Sequence, residues 1–235
     1  MSKSKGNFLS LRDCLDFYGA DATRIALADA GDTLDDANFV HDTANNAISR
    51  LANLETWIKF AFENLDKMRT ESKDKFSEFI DNAFNNAMDK LIHDADQAYS
   101  TMRYRDVLRC SLYDFTSLRE EYLISAGEDP SNYRKDLIIK YIHSQLIILY
   151  PIAPHFSEVI YKNSLKKHLP EDAPEYISNA RFPEVDINKV DFAIVKARNY
   201  VQDVFRSVRL AHDKIGKKKA EKCYIIYAKE YFDWQ

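Results

Sequence analysis

Apolar residues recur every three or four positions along most of the chain, the spacing that places them on one face of an α-helix. The clearest stretch, residues 37–65, predicts one long amphipathic helix with Val40, Leu51 and Ile58 on its apolar face. Further bundle helices are predicted over residues 76–98, 104–122, 133–150 and 155–165. Because short connections separate these long helices, the pattern predicts an all-α antiparallel helix bundle.

Short signals at both ends predict appendages to this bundle. Ser10 and Gly19 bracket one short N-terminal helix, and Asp21 and Gly31 bracket a second. Prolines between residues 170 and 183 mark an irregular segment. Beyond it, a last helix is predicted from about residue 187 to residue 215. A β-like run at residues 223–228 follows without a partner strand. We therefore expect a truncated α/β appendage at that end.

The composition agrees with a folded, helical protein. The 235 residues are 46% hydrophobic and 30% charged, which argues against disorder throughout, and only 5 glycines and 6 prolines interrupt the chain. No apolar run approaches the roughly 20 residues that span a bilayer. The 3 cysteines are far apart and lack C-x-x-C spacing, which is typical of reduced thiols. We therefore expect a cytoplasmic monomer that is not attached to a membrane.

The histidines and acidic clusters do not predict a metal site. His143 and His155 lie beside apolar residues, and no partner ligand recurs at a metal-binding interval. The aspartates of residues 29–36 lack the glycine and closing glutamate of a calcium-binding EF-hand loop. We expect core or capping roles for the histidines. The aspartates are expected to cap helices and to contact lysines of a neighbouring domain.

The net charge of −4 excludes a purely basic nucleic-acid coat, but it conceals a local excess of positive charge. Residues 192–222 contain nine basic and three acidic side chains. On a helix, Arg198, Gln202, Arg206 and Arg209 share one stripe. The candidate contacts with RNA phosphates are Arg198, Arg206, Arg209, Lys217, Lys218 and Lys219. A solvated helix face followed by a flexible lysine loop is the alternative.

A second candidate RNA contact combines arginines with tyrosines. Its members are Arg103, Arg105, Arg109, Tyr99, Tyr104 and Tyr113. Such side chains can stack on unpaired bases and clamp an RNA loop. Tyrosines in a helical pattern more often lie half-buried along the seams of a bundle, and we favour that interpretation. The same choice applies to Trp57, for which burial would indicate packing.

The first seven residues combine two lysines, two serines and a glycine. Ammonium groups supply movable positive charge, and hydroxyls and backbone amides bind phosphate oxygens, so Ser2, Lys3, Ser4 and Lys5 could wrap a polyphosphate. Gly6 permits backbone angles that the other residues resist. A disordered basic tail is the alternative interpretation of the same residues.

Motifs near the N-terminus of the chain resemble those of class I aminoacyl-tRNA synthetases. Residues 1–7 (MSKSKGN) resemble the KMSKS signature loop of that family without its first lysine. Residues 18–24 (YGADATR) resemble a stretch shared by its leucine, isoleucine, valine and methionine members. Residues 28–39 (ADAGDTLDDANF) are similar to the archaeal and eukaryotic cytosolic type of leucyl-tRNA synthetase. A thinner similarity continues to the end of the chain and includes residues 151–155 (PIAPH).

The resemblance implies that ATP with Mg²⁺ is bound in the full-length enzyme. Ser2, Lys3, Ser4 and Lys5 would contact the ATP phosphates. Lys3 would be the catalytic residue that stabilises charge as the leucine carboxylate attacks the α-phosphorus. The helical bundle and the basic stripe would bind tRNA-Leu. The catalytic and editing domains of the same full-length chain would be its other partners.

The resemblance also implies a division into three parts. Residues 1–38 would carry the signature loop and a linker, residues 39–183 the anticodon-binding helical bundle, and residues 184–235 the start of a C-terminal domain. The family places its nucleotide-binding fold upstream of these residues, so we expect this chain alone to be inactive in leucine–tRNA ligation. The competing hypothesis is a non-catalytic helical module that binds RNA or a protein.

Overall fold

The computed structural model describes residues 8–31, 38–215, 222 and 224. Eight α-helices lie within these residues. They are α1 (Leu11–Asp29), α2 (His41–Glu63), α3 (Lys75–Ser100), α4 (Tyr104–Leu108), α5 (Phe115–Ala126), α6 (Lys135–Leu149), α7 (Pro154–Ile160) and α8 (Phe192–Ile215). Within the same residues, β pairing is limited to one isolated bridge between Arg69 and Arg134. The predicted all-α class is therefore confirmed.

The two predicted N-terminal helices form one element, α1, that is interrupted at Gly19. The glycine has φ 75° and ψ 170°, a conformation that side chains with a Cβ disfavour. Ser10 caps the start of α1 as predicted, because its Oγ accepts a hydrogen bond from the Asp13 backbone N–H at 3.2 Å and Asp13 accepts one from the Ser10 N–H at 3.1 Å. The predicted capping role of Asp21 is wrong for its own helix.

Two predicted helix starts lie several residues too early. Residues 38–40 are not helical, and α2 begins at His41 because Val40 is extended and offers no side-chain cap. Ile187–Lys189 is a separate 3₁₀ turn, and α8 begins at Phe192. The Asp191 carboxylate sets that start by accepting hydrogen bonds from the backbone N–H groups of Ala193 at 2.9 Å and Ile194 at 3.1 Å. Apolar periodicity locates a helix, but capping fixes its ends.

Two predicted helices contain π-helical turns. Arg109–Asp114 joins α4 to α5 in this conformation, and Tyr161–Leu165 follows α7. A π turn inserts one residue into the helical repeat, and it leaves the apolar pattern nearly unchanged. The expectation of continuous α-helices over 104–122 and 155–165 is therefore wrong in this detail.

The main core is assembled around α6, as its nearly uniform apolar sequence predicts. Ile138, Tyr141, Ile142 and Leu146 of this helix have no exposed surface, and they pack with side chains of α2, α3, α5 and α7. A second cluster joins α1 to α2 and α4, with Ile25 at its centre. No described helix is both long and apolar enough to cross a membrane.

The contacts divide the chain into two compact units, Met1–Ile194 and Val195–Gln235. The first holds the bundle, and its residues between α7 and α8 form only short turns, as the prolines predict. The second holds most of α8. The β-like run at 223–228 lies outside the described residues except for Tyr224, which is not in a strand. The proposed boundaries of the three parts, 1–38, 39–183 and 184–235, stay predictions.

Candidate nucleic-acid interface

The structure describes three of the predicted binding residues. Arg198, Arg206 and Arg209 lie on α8, as the helical pattern predicts. The others lie outside the described residues, and their roles stay predictions. These are Ser2, Lys3, Ser4, Lys5, Lys217, Lys218 and Lys219.

The basic stripe of α8, defined as Arg198, Gln202, Arg206 and Arg209, follows one flank of the helix. Arg206 and Arg209 are exposed, whereas Arg198 and Gln202 are half-buried. Arg198 donates a hydrogen bond to the Asn199 side chain at 3.2 Å. Neither Arg206 nor Arg209 has a hydrogen bond or an ion pair with any residue that the structure describes. Two exposed guanidinium groups therefore lack a partner among the described residues.

An apolar groove lies on a different flank of α8 from the basic stripe. A groove of about 600 Å³ is lined by Val204, Val208 and Ala211 together with Tyr224. At 100° per residue these positions lie on a different flank from the arginines. The stripe consequently presents charge in one direction, which suits the regularly spaced phosphates of a nucleic-acid backbone.

Two motifs noted in the sequence meet in the structure. Asp21, from the YGADATR motif, accepts hydrogen bonds from the backbone N–H groups of His155 at 3.4 Å and Phe156 at 2.6 Å. These are the free donors at the start of α7, where Pro154 has no N–H and Ala153 offers no side-chain cap. Asp21 thus caps a helix more than 130 residues away instead of its own.

Arg24 completes this docking contact. Its guanidinium donates hydrogen bonds to the carbonyl oxygens of Pro151 at 2.6 Å and Ile152 at 2.8 Å. Thr23 stabilises the break in α1, because its hydroxyl donates a hydrogen bond to the Gly19 carbonyl oxygen at 2.7 Å. The second half of α1 is therefore tied to the start of α7 and the residues before it by directional bonds. Each motif is visible in the sequence, but no local signal links residues so far apart.

Two of the three tyrosines of the arginine–tyrosine candidate lie half-buried along helix seams, as we favoured. Tyr99 is half-buried and donates to the Ile148 carbonyl at 2.7 Å, and burial raises the pKa of its hydroxyl. Tyr113 is half-buried beneath the Arg50 guanidinium, 4.8 Å from its ring centroid. Arg103 and Arg109 pair with Asp106 at 2.9 Å and 3.6 Å. Tyr104 differs, since 45% of its surface is exposed.

Trp57 has a packing role. Its ring is half-buried, and its centroid lies 5.5 Å from the Tyr141 ring centroid at an interplanar angle of 84°. The buried Arg119 guanidinium lies 4.4 Å from the centroid of the Trp57 ring. This cation–π contact stabilises the guanidinium charge in addition to its ion pair with Glu120 at 3.5 Å. The interpretation of Trp57 as packing is confirmed.

Two of the described histidines and one cysteine lie in or beside helices of the bundle. His143 is half-buried, and burial lowers its pKa. His155 is exposed and lies at the start of α7, with its Nδ1 3.2 Å from Asp21. Cys110 is a free thiol whose pKa burial raises to about 11. Across residues 8–31 and 38–215, no group of three or more His, Cys, Asp or Glu side chains could hold a metal ion.

Comparison with known families identifies the bundle. The family described as the anticodon-binding domain of tRNA ligase matches residues 81–227, which include most of α3 and all of α4 to α8. The chain belongs to this family of anticodon-binding domains. In this anticodon-binding domain the basic stripe of α8 lies inside the matched range, whereas α1 and α2 precede it.

Relatives of this anticodon-binding domain extend the similarity to the N-terminal linker. The cytoplasmic leucine–tRNA ligase of Saccharomyces cerevisiae is 38% identical over 222 residues, which cover 94% of this chain and 19% of the relative. The corresponding protein of Dictyostelium discoideum is 32% identical, and the match covers 100% of this chain and 22% of that protein. The leucine–tRNA ligase of Aeropyrum pernix is 32% identical, and the match covers 92% of this chain and 21% of the relative. The chain thus spans about a fifth of these relatives.

Proposed function

We propose that this chain is the tRNA-binding portion of a cytoplasmic leucine–tRNA ligase, the class of enzyme that attaches leucine to tRNA-Leu with ATP. The observation that carries the proposal is the pair of exposed guanidinium groups of Arg206 and Arg209, which no described residue pairs, on the basic stripe of an anticodon-binding domain. The names of the relatives support leucine as the amino acid.

Phosphate binding is the interaction that these arginines suit best. A guanidinium group stays charged at every physiological pH and donates in a planar fork to two oxygens of one phosphate. RNA binding by such contacts releases condensed counterions, so its affinity falls steeply with salt concentration. Since the chain as a whole carries a charge of −4, the rest of its surface does not attract RNA indiscriminately.

The N-terminal residues have a separate role in the proposal, which is to bind ATP. In the complete enzyme, Ser2, Lys3, Ser4 and Lys5 would contact the phosphates of ATP, which brings Mg²⁺ with it. Lys3 would supply the charge that stabilises the transition state. Asp21 and Arg24 tie the segment that follows this loop to the bundle.

The resemblance of the N-terminal motifs to class I aminoacyl-tRNA synthetases supports the remaining parts of the proposal. The catalytic and editing domains of the full-length chain would be the neighbours of this portion, and the enzyme would act as a cytoplasmic monomer. The chain of 235 residues alone would bind tRNA-Leu but would not form aminoacyl-adenylate.

The salt dependence of tRNA binding tests the proposed interface. We expect Arg206→Ala with Arg209→Ala to weaken binding of a tRNA-Leu transcript. The slope of log Kd against log salt concentration should become shallower by about 2, which is about 1 for each lost phosphate contact. Fluorescence anisotropy of a labelled transcript over a series of KCl concentrations measures both quantities.

A charge-matched control is available on the same helix. Lys196 and Lys214 are exposed and project from a different side of α8 than the stripe. Lys196→Ala with Lys214→Ala removes the same net charge and should leave the slope nearly unchanged. Equal effects of the two double variants would show that α8 acts by net charge alone and would refute the stripe as an interface.

A further inference from the structure

A pocket of about 560 Å³ opens at the end of the bundle, where the second half of α1 meets the end of α3 and the start of α4. It lies entirely within the first compact unit. Its walls combine apolar and aromatic surface with one cation. They include Arg24, Leu27, Tyr99, Tyr104, Pro151 and Ile152. This composition suits a flat ring better than an aliphatic side chain, because aromatic and guanidinium planes both stack on rings.

Two of the walls are held in place without any ligand. The Arg24 guanidinium is fixed by the carbonyl oxygens of Pro151 and Ile152 at 2.6 Å and 2.8 Å. The Tyr99 ring is fixed by the hydrogen bond from its hydroxyl to the Ile148 carbonyl at 2.7 Å. A ligand that enters the pocket therefore loses little free energy to ordering these side chains.

The third wall, Tyr104, follows a strained turn. Met102 has φ 55°, and among the described residues it is the one residue other than glycine with a positive φ. The left-handed conformation is unfavourable for an L-residue, and such strain is concentrated at functional sites. The turn is closed by the hydrogen bond from the Arg103 backbone N–H to the Ala98 carbonyl at 2.9 Å. It leaves Tyr104 45% exposed at the pocket.

The charge around the pocket favours an anionic ligand with a ring. Arg24 lines the pocket, and Arg103 precedes Tyr104 directly in the chain. More than half of the Arg103 side chain is exposed, although it also pairs with Asp106. An unpaired nucleotide carries both elements that these residues match, a base that stacks and a phosphate that binds guanidinium groups.

We propose that one unpaired nucleotide of the bound tRNA inserts its base into this pocket, stacked on Tyr104, with its phosphate towards Arg103. The inference rests on the proposed function and adds a base-binding subsite to it. The base is held by stacking rather than by reading of its hydrogen-bonding edge, so the subsite selects for an unpaired base and not for a particular sequence.

Substitutions of Tyr104 separate stacking from general electrostatic attraction. We expect Tyr104→Ala to weaken binding of a tRNA-Leu transcript about tenfold, the scale of losing one stacked base, without changing the salt slope, since no charge is removed. Tyr104→Phe keeps the ring and should bind within about twofold of the unchanged chain. Tyr176→Ala is the matched control, because Tyr176 is a similarly exposed tyrosine, at 42%, outside this pocket.

A spectroscopic signal reports stacking directly. Tyr104→Trp should show quenched tryptophan fluorescence when the transcript binds, beyond any change in the unchanged chain. Leu27→Glu provides a second test if Tyr104→Ala fails to fold. It places a carboxylate in the pocket at a position that is 47% exposed, and it should weaken binding by a similar factor.

The outcomes distinguish this inference from the proposed function. If the unchanged chain fails to bind the transcript at low salt, the proposed function is refuted. If it binds, but Tyr104→Ala and Leu27→Glu remain within twofold of it, or Tyr176→Ala loses as much affinity as Tyr104→Ala, the subsite is refuted. Absence of additional quenching in Tyr104→Trp would refute the subsite as well.

Discussion

The Asp81 carboxylate shows how single residues hold this bundle together. It is almost completely buried and receives hydrogen bonds from both terminal nitrogens of Arg69 at 2.6 Å and 2.7 Å. Ser72 and Tyr122 donate to it at 2.8 Å and 2.9 Å. Burial and the neighbouring Asp81 raise the pKa of the Tyr122 hydroxyl, which remains a donor at physiological pH. A buried charge is tolerated here because both of its oxygens are paired.

Removal of this charge should destabilise the fold strongly. Asp81→Asn leaves the buried Arg69 guanidinium without its counterion, and we expect the free energy of unfolding to fall by about 3 kcal/mol. Urea denaturation followed by circular dichroism measures the change. Asp94→Asn is the control, since Asp94 pairs with Lys90 at the surface and its loss should cost less than about 1 kcal/mol. Equal losses in the two variants would contradict the account of the buried pair.

His143 predicts a pH dependence of stability. Burial lowers its pKa in the folded state, whereas the unfolded residue titrates near its ordinary value of 6.5. As the pH falls below 6.5, the unfolded state binds a proton first, so the folded state loses stability towards acid and keeps it above that pH. We expect His143→Gln to lose less free energy of unfolding between pH 7.5 and about 5 than the unchanged chain. An identical loss in both proteins would assign the acid sensitivity to other groups.

Local signals in the sequence predict the residues that act within one element. The cap at Ser10 and the break at Gly19 are both confirmed, because each depends on neighbours in the chain. Asp81 lies beside the apolar stripe of α3, and its partners come from two other segments, the connection before α3 and α5. No periodicity reports such a network, so the sequence could not predict it.

Among the elements, α1 is one helix with a break at Gly19 that docks on the bundle, rather than a pair of independent helices. Its second half packs into the cluster around Ile25 and reaches the start of α7 through Asp21 and Arg24. The helix positions were predictable because burial repeats with the helical period. The π turns and the exact starts of α2 and α8 were not, since they depend on a single inserted residue or on a cap.

Loss of the Asp21 carboxylate should loosen this linker locally. Asp21→Ala removes the acceptor of two backbone donors of α7, and we expect a loss of about 1–2 kcal/mol in stability. Amide hydrogen exchange of the second half of α1 should accelerate more than that of α3. Asp16→Ala is the control, because Asp16 is exposed on the same helix and makes no such contact with a described residue. Uniform acceleration across the bundle would contradict a docking role.

At the scale of the whole molecule, the candidate interface was only partly predictable. The charge pattern placed Arg198, Arg206 and Arg209 on one stripe of a helix, and the structure confirms that placement and shows which of them have no partner among the described residues. The base-binding pocket has no sequence signature, since its walls come from α1, the end of α3, the start of α4 and residues 151–152. The sequence marked Tyr104 and Arg103 only as members of a larger set.

We propose a division of labour, in which α8 binds tRNA and residues 1–7 serve the chemistry of ATP. It predicts that variants of the two regions affect different steps in the full-length ligase. Arg206→Ala with Arg209→Ala should raise KM for tRNA-Leu and leave leucine-dependent ATP–pyrophosphate exchange unchanged. Lys3→Ala should lower that exchange by about 2–4 kcal/mol of transition-state free energy and leave tRNA affinity unchanged.

The most direct measurement is therefore a comparison of these two assays on both variants in the same full-length enzyme. We expect the α8 double variant to raise KM for tRNA-Leu with normal pyrophosphate exchange, and Lys3→Ala to lower pyrophosphate exchange with an unchanged KM for tRNA-Leu. If the α8 double variant lowers pyrophosphate exchange as much as aminoacylation, or if it aminoacylates tRNA-Leu with an unchanged KM, the proposed role of α8 in binding the RNA is contradicted.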